Sequence, residues 1–272
     1  MKKTILLTLL ATVLFSFTGK KKKQFVPPGT VKICDTLFVD ETEISNFSWV
    51  QYEWWITRKY GVNSIEHKAV LPDTLVWREK NTNNEPYVKY YYRHPAYRDY
   101  PVVGISYEQA LAFCKWRTER VKEFICASKK NELIEFEYTL PTKSVWEFVS
   151  NNGDYGDGYS VFSRGGKNEK GLVTFNHRWA KDSAEWVSSG GDKSRMGMEV
   201  LAPVHSYWPN HFKLYNMIGN AAEMVLEKGI SKGGSWRNLL EECRVGKDIP
   251  YEKPTAWLGF RCVCIVKANS PS

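Results

Sequence analysis

Asn216-Met217-Ile218-Gly219-Asn220-Ala221-Ala222-Glu223 is the stretch on which the reading of the fold turns. Downstream come Lys232-Gly233-Gly234-Ser235-Trp236 and then Leu258-Gly259-Phe260-Arg261-Cys262. From Asn151 onward Gly, Asp, Ser and Asn punctuate the chain, so any strands there must be short. The order and spacing of the three blocks suggest a compact, loop-rich domain with a cation site and a cysteine-tethered end. The residues between the second and third blocks decide what chemistry such a domain can carry.

Working toward the N-terminus, periodicity becomes helical. Leu140-Pro141-Thr142 opens a short helix through Trp146 and Phe148, with Thr142 as N-cap. Ser106-Tyr107-Glu108-Gln109 is a capping box, followed by a helix with Ala110, Phe113, Cys114, Val121 and Phe124 on its buried side. Residues 62 to 100 are polar and tyrosine-rich and read as an irregular insertion with one short strand at Thr74 to Arg78. Thr42 or Ser45 starts a helix that sets Phe47, Val50 and Trp54 on one face and ends near Gly61. Val31 to Val39 alternates as a strand. Helices early and irregular β structure late make an α+β domain.

The chain has 272 residues, 43% of them hydrophobic, enough for a substantial core. Its net charge of +8 is concentrated: six of the 38 basic residues are Lys2, Lys3 and Lys20 to Lys23, and no acid precedes residue 24. The remainder is nearly neutral, which excludes nucleic acid as a partner. Lys2 and Lys3 followed by an apolar run from Thr4 to Phe17 read as an export signal at residues 1–19, or else an uncleaved N-terminal anchor. The run is too short to cross ~30 Å of hydrocarbon at ~1.5 Å per residue. A basic, Pro-rich linker at residues 20–30 leads into a single domain at residues 31–268, with a tail at 269–272.

Six cysteines (Cys34, Cys114, Cys126, Cys243, Cys262 and Cys264) in an exported chain favour disulfides. No C-x-x-C pair occurs, and His67, His94, His177, His205 and His211 are scattered, so neither zinc, iron nor heme is expected. Asp154 to Gly158 reads as a Gly/Asp turn, with a cation loop as the alternative.

Five ordered blocks carry a family resemblance. Pro101-Val102-Val103-Gly104-Ile105-Ser106 with Ala112-Phe113-Cys114-Lys115-Trp116, and Leu140 to Phe148, join the three blocks quoted first. Together they resemble the formylglycine-generating, or sulfatase-modifying factor, domains over roughly residues 28 to 267. The resemblance implies a fold related to C-type lectins with little regular secondary structure. Tyr91 to Tyr97 and Trp116 to Arg120 look like a branch found in gliding-motility and type IX secretion lipoproteins of Bacteroidetes, although no lipobox Cys is present.

The resemblance also implies a structural Ca²⁺ held by the Asn216 side chain, the carbonyls of Gly219 and Ala221, and the Glu223 carboxylate. These are hard oxygen donors, suited to that ion. It further implies a disulfide between Cys114 and Cys262, worth ~4 to 5 kcal/mol on the chain-entropy model. Of the other four cysteines, Cys126 should not pair with Cys264. Cys126 lies ~18 Å along a helix from Cys114, whereas Cys264 lies only ~7 Å along a strand from Cys262. A bridge from Cys34 to Cys264 is attractive.

In the family's oxidases a C-x-x-x-x-C pair between "G-G-S" and "R-x-x-A-R" binds Cu(I) through soft thiolates and activates O₂. Counting from Ser235, that pair falls on Asn238 and Cys243; aligning on Arg244 moves the second position to Leu240. One or both thiolates are missing, so no copper is expected, and Cys243 is the catalytic candidate if the chain is active. The resulting expectation is a non-catalytic binding or scaffold protein with protein partners in the cell envelope, in the periplasm or at the outer membrane. It would touch the membrane only through its N-terminus. The alternative is a formylglycine-type oxidase acting on a protein cysteine.

Overall fold

The computed structural model describes residues 25–78, 84–127, 134–150, 162, 165–167, 170, 174–177 and 201–267. The N-terminal leader and the Asp154 to Gly158 turn lie outside them.

Strands β1 (Thr30–Lys32) and β2 (Leu37–Asp40) form a hairpin where one strand was expected. Cys34 sits in its turn, exposed. Helix α1 (Asn46–Tyr60) starts at Ser45, whose hydroxyl accepts the Ser48 amide, and stops at Gly61, where φ is 97°. Its buried face differs from the expected one. Asn46, Trp49, Tyr52 and Glu53 point inward, while Trp54 is 57% exposed and Phe47 41% exposed. The apolar count misled because Glu53 is buried by partners: it accepts from His67 Nε2 at 3.1 Å, Arg93 at 2.7 Å and the Tyr92 hydroxyl at 2.6 Å. Those bonds hold its carboxyl below the usual range although burial opposes them.

The insertion is helical rather than stranded. Helix α2 (Ile65–Ala69), a 3-10 turn at Thr74–Trp77 in place of the expected strand, and α3 (Glu85–Tyr90) follow in turn. Asp73 caps the 3-10 turn by accepting the Leu75 amide, a local bond that competes with extension. Trp77, Tyr87, Tyr91 and Tyr97 pack ring against ring there. Helix α4 (Tyr107–Ala127) opens on the expected capping box: Gln109 Oε1 accepts the Ser106 amide at 2.7 Å and Ser106 Oγ accepts the Gln109 amide at 3.2 Å. Ala110, Phe113 and Cys114 are buried as expected, but Phe124 is 71% exposed beyond the reach of the core. Strand β3 (Phe136–Thr139) and α5 (Lys143–Ser150) follow, with Thr142 Oγ1 accepting the Val145 amide as the N-cap.

The late strands are short, as the turn residues required: β4 (Ala222–Met224), β5 (Ile230–Lys232), β6 (Ile249–Pro250), β7 (Leu258–Gly259) and β8 (Val263–Val266). They build two four-stranded sheets, ordered β1-β2-β8-β3 and β6-β5-β4-β7. The first is antiparallel throughout, with Phe38 opposite Cys264 and Tyr138 opposite Cys264 on the other side. In the second, β4 runs parallel to β7, with Glu223 opposite Gly259. Trp49 stacks on Phe113 at 5.4 Å in the core, and Phe260 meets both edge-on. No helix among the described residues is long and apolar enough to cross a membrane.

Candidate functional site

The three C-terminal blocks meet in space. Gly219 donates its amide to the Gly233 carbonyl at 2.8 Å, Trp236 to Asn220 O at 2.9 Å, and Ala222 to Trp257 O at 2.9 Å. Gly219 has φ 76°, and a Cβ there would sit 2.2 Å from the Asn176 carbonyl oxygen, so only glycine permits the approach.

Asn216, Gly219, Ala221 and Glu223 all lie in this buried turn and the strand it enters. Glu223 is 1% exposed and both its oxygens are engaged. Arg261 reaches it through Nε at 2.7 Å and Nη2 at 2.6 Å, and Trp146 donates Nε1 to it at 2.7 Å. Arg261 is itself fully buried and also donates to the carbonyls of Asp40 and Tyr215. Burial pulls the guanidinium's pKa down, but Glu223 beside it holds the group charged. The positive charge facing Glu223 is therefore a guanidinium. As arranged, the donor set does not fit a calcium ion at that carboxylate, because a dication would sit against Arg261. Asn216 donates to Glu43 Oε2 at 3.1 Å and to the Val204 carbonyl, leaving its own Oδ1 buried without a hydrogen-bond partner.

Glu43 was not singled out from the sequence. It is 1% exposed, accepts from Asn216 and from Asn220 at 2.8 Å, and burial pushes its carboxyl up to about 8. The signal lay in Asp40-Glu41-Thr42-Glu43: four polar residues between an apolar strand and a helix cap, two of them (Asp40 and Glu43) buried. Arg261 carried a comparable signal, a cation between Phe260 and Cys262 in an apolar run.

Cys114 and Cys262, the pair expected to form a disulfide, stand side by side, buried, with their sulfurs 3.5 Å apart; burial drives the Cys262 thiol well above its ordinary pKa. Cys264 packs in the same core, Cys243 packs in another cluster, and Cys34 and Cys126 are exposed.

A family profile described as the sulfatase-modifying factor enzyme 1-like domain matches residues 9–266. The chain belongs to that family. It is 27% identical over 202 residues to the inactive C-alpha-formylglycine-generating enzyme 2 of Mus musculus, covering 65% of this chain and 56% of that protein. It is also 27% identical over 125 residues to the formylglycine-generating enzyme of Bos taurus, covering 46% of this chain and 26% of that one. The chain thus spans about half the length of the first of these curated relatives, or less. The solved structure of CarF shares the fold at TM-score 0.50 and 13% identity, over 85% of this chain and 87% of that one.

Within this sulfatase-modifying factor domain, the segment after Gly233-Gly234-Ser235 is closed on itself. Asn238 Oδ1 accepts the Ser235 amide at 3.0 Å and the Ser235 hydroxyl at 2.7 Å. Leu240–Cys243 forms a 3-10 turn that tucks Cys243 under Gly234. A Cβ on Gly234, where φ is 69°, would lie 2.4 Å from the Cys243 sulfur. Cys243 is fully buried, and desolvation pushes its thiol up to about 12, so it stays protonated at neutral pH. One buried thiol beside a hydrogen-bonded amide does not supply the pair of soft sulfur ligands that a Cu(I) site of this kind takes.

Proposed function

We infer that this chain acts as an exported binding or scaffold protein of the bacterial cell envelope, built on the sulfatase-modifying factor fold without its copper-dependent oxidation. One observation carries the reading. The position that would complete a thiolate pair with Cys243 is Asn238, and its amide oxygen is spent on Ser235. The remaining thiol is buried and protonated, which leaves neither a metal ligand nor a nucleophile. Similarity to a relative named as inactive supports the same direction. The basic-then-apolar start at Lys2 to Phe17 supports export, and the Tyr91 to Tyr97 and Trp116 to Arg120 stretches support a place in gliding or secretion machinery with protein partners.

Titration of the reduced chain with Cu(I) is the test. The expected result is no tight stoichiometric site. Tight one-to-one binding that disappears in Cys243→Ser would sink the scaffold reading and restore the oxidase.

A further inference from the structure

Helices α1 and α4 run side by side in the same direction. Trp49 stacks on Phe113, Tyr52 lies 5.0 Å from Trp116, and the Arg120 guanidinium sits 3.8 Å from the centre of the Trp55 ring. Both helices therefore finish at one end of the domain. The described chain also begins there, since Lys122 of α4 lies over the Phe136 ring and Phe25 packs on that ring at 5.2 Å.

At this end the protein leaves apolar groups in water. Past Tyr60 the chain turns back into α2, and the Val70 carbonyl accepts from Trp49 Nε1. Tyr60 is exposed in this reversal, Val62 is 69% exposed and Ile65 84%. Trp54 on α1 and Phe124 on α4 add to them. A Cβ built on Gly61 would meet nothing within 4 Å, so the turn stands clear of its surroundings. It is nonetheless held in shape. Gly61 donates its amide to the Thr57 carbonyl at 2.8 Å, Asn63 donates its amide to His67 Nδ1 at 3.1 Å, and Ser64 Oγ accepts the His67 amide at 3.0 Å. A preorganised turn loses less entropy when it meets a partner.

The charge around these groups has one sign. His67 aside, residues 54–69 hold Arg58, Lys59 and Lys68 against Glu66 alone, three cations to one acid and hence a surplus of two. Arg58 lies over the Trp54 ring and Lys59 over Trp55 and Tyr60, contacts that leave the positive charge in place. Exposed aromatic and aliphatic tips among cations are the composition of an interfacial membrane contact: the apolar tips enter the acyl boundary while Lys and Arg meet anionic headgroups. The position of the N-terminus favours a bilayer over an acidic protein. Upstream of Phe25 stand Lys20 to Lys23 and the apolar run Thr4 to Phe17. With that run held in a bilayer, the seven residues Thr18 to Gln24 span at most ~25 Å and bring this end of the domain to the same surface.

We propose that the end of the domain carrying Trp54, Arg58, Tyr60, Val62, Ile65 and Lys68 docks on an anionic phospholipid surface. The proposal goes beyond the scaffold reading. Its test and the copper titration share no residue, so either can fail alone.

The test is hydrogen–deuterium exchange of the full chain, read by peptide mass spectrometry, on vesicles of phosphatidylcholine and on vesicles of phosphatidylcholine with phosphatidylglycerol. A surplus of two cations at an anionic surface favours contact by roughly tenfold or more. The amides of residues 61–66 should therefore exchange several-fold more slowly on the anionic vesicles alone, and high salt should reverse the effect. Val62→Ser with Ile65→Ser leaves the N-terminal segment intact. It should remove the protection with the thermal midpoint unchanged, because both side chains are exposed. Arg58→Gln with Lys68→Gln should make the two kinds of vesicle equivalent. Three outcomes overturn the proposal: residues 61–66 exchange alike with and without anionic lipid; the Val62/Ile65 variant keeps the protection; or protection arises without vesicles and grows with protein concentration, which assigns this face to a second copy of the chain.

Discussion

Replacing Arg261 by Met tests whether a guanidinium, rather than a bound cation, balances the charge at the centre of this domain. In the parent, Arg261 and Glu223 are both buried, joined by contacts of 2.6 and 2.7 Å. Removing one partner of a buried pair costs about 3–5 kcal/mol, because the other charge is left without compensation. The carbonyls of Asp40 and Tyr215 lose their donors in the same step, which places the expectation in the upper half of that range. For a domain of this size the loss corresponds to a fall in Tm of roughly 8–20 °C. Urea and thermal unfolding at pH 7, followed by tryptophan fluorescence, measure it directly. Arg261→Met with Glu223→Leu should recover part of the loss, since no lone charge then remains. A cost below about 1 kcal/mol for Arg261→Met, within the ordinary scatter of single substitutions, would falsify the reasoning. Full rescue of the single variant by millimolar calcium would do so equally.

Glu43 sets a pH dependence of the opposite sign to that of an ordinary carboxylate. Its folded pKa is raised to about 8, so the folded state holds a proton that the unfolded chain releases near 4.5. Stability should fall as pH rises through that window, by at most about 1.4 kcal/mol per pH unit, and Glu43→Gln should flatten the curve. An unchanged slope in that variant excludes Glu43 as the cause. In Gly234→Ala the new Cβ meets the Cys243 sulfur and the positive φ disfavours any side chain, so the free energy of unfolding, measured in urea, should drop by more than about 2 kcal/mol. A neutral effect would mean that the Gly234 to Cys243 contact is not as close as described. Iodoacetamide on the native chain should label Cys34 and Cys126 first and leave Cys114, Cys243, Cys262 and Cys264 for the unfolded state. Cys34 leads because hydrogen bonding to Thr36 lowers its pKa. Early modification of Cys243, seen by peptide mass spectrometry, would contradict its burial.

Sequence signals are legible where local physics decides the outcome. The Ser106/Gln109 box, the Thr142 cap and the short C-terminal strands depend on neighbours within a few residues. Apolar periodicity misplaces Phe47 and Trp54 because it does not register a buried Glu53 whose partners come from Tyr92, Arg93 and His67, and it misplaces Phe124 because α4 runs on past the core. The segment that would carry copper was legible as a missing cysteine, yet not as the closed loop that Asn238 and Ser235 make. Asp40 and Glu43 were not foreseen, since they join residues near 40 to others near 117 and 216.

The place of Arg261 has a consequence for how the chain is made. Its guanidinium ties together segments around residues 40, 215 and 223, and β8 fills the gap between β2 and β3. During synthesis everything before residue 258 therefore leaves the ribosome without its central strand and with Glu223 unanswered. The N-terminal hairpin and β3 have no strand to join them into a sheet until β8 emerges. Such a protein folds late and all at once. A chain cut short before Phe260 should yield not a smaller domain but material that chaperones hold and proteases clear.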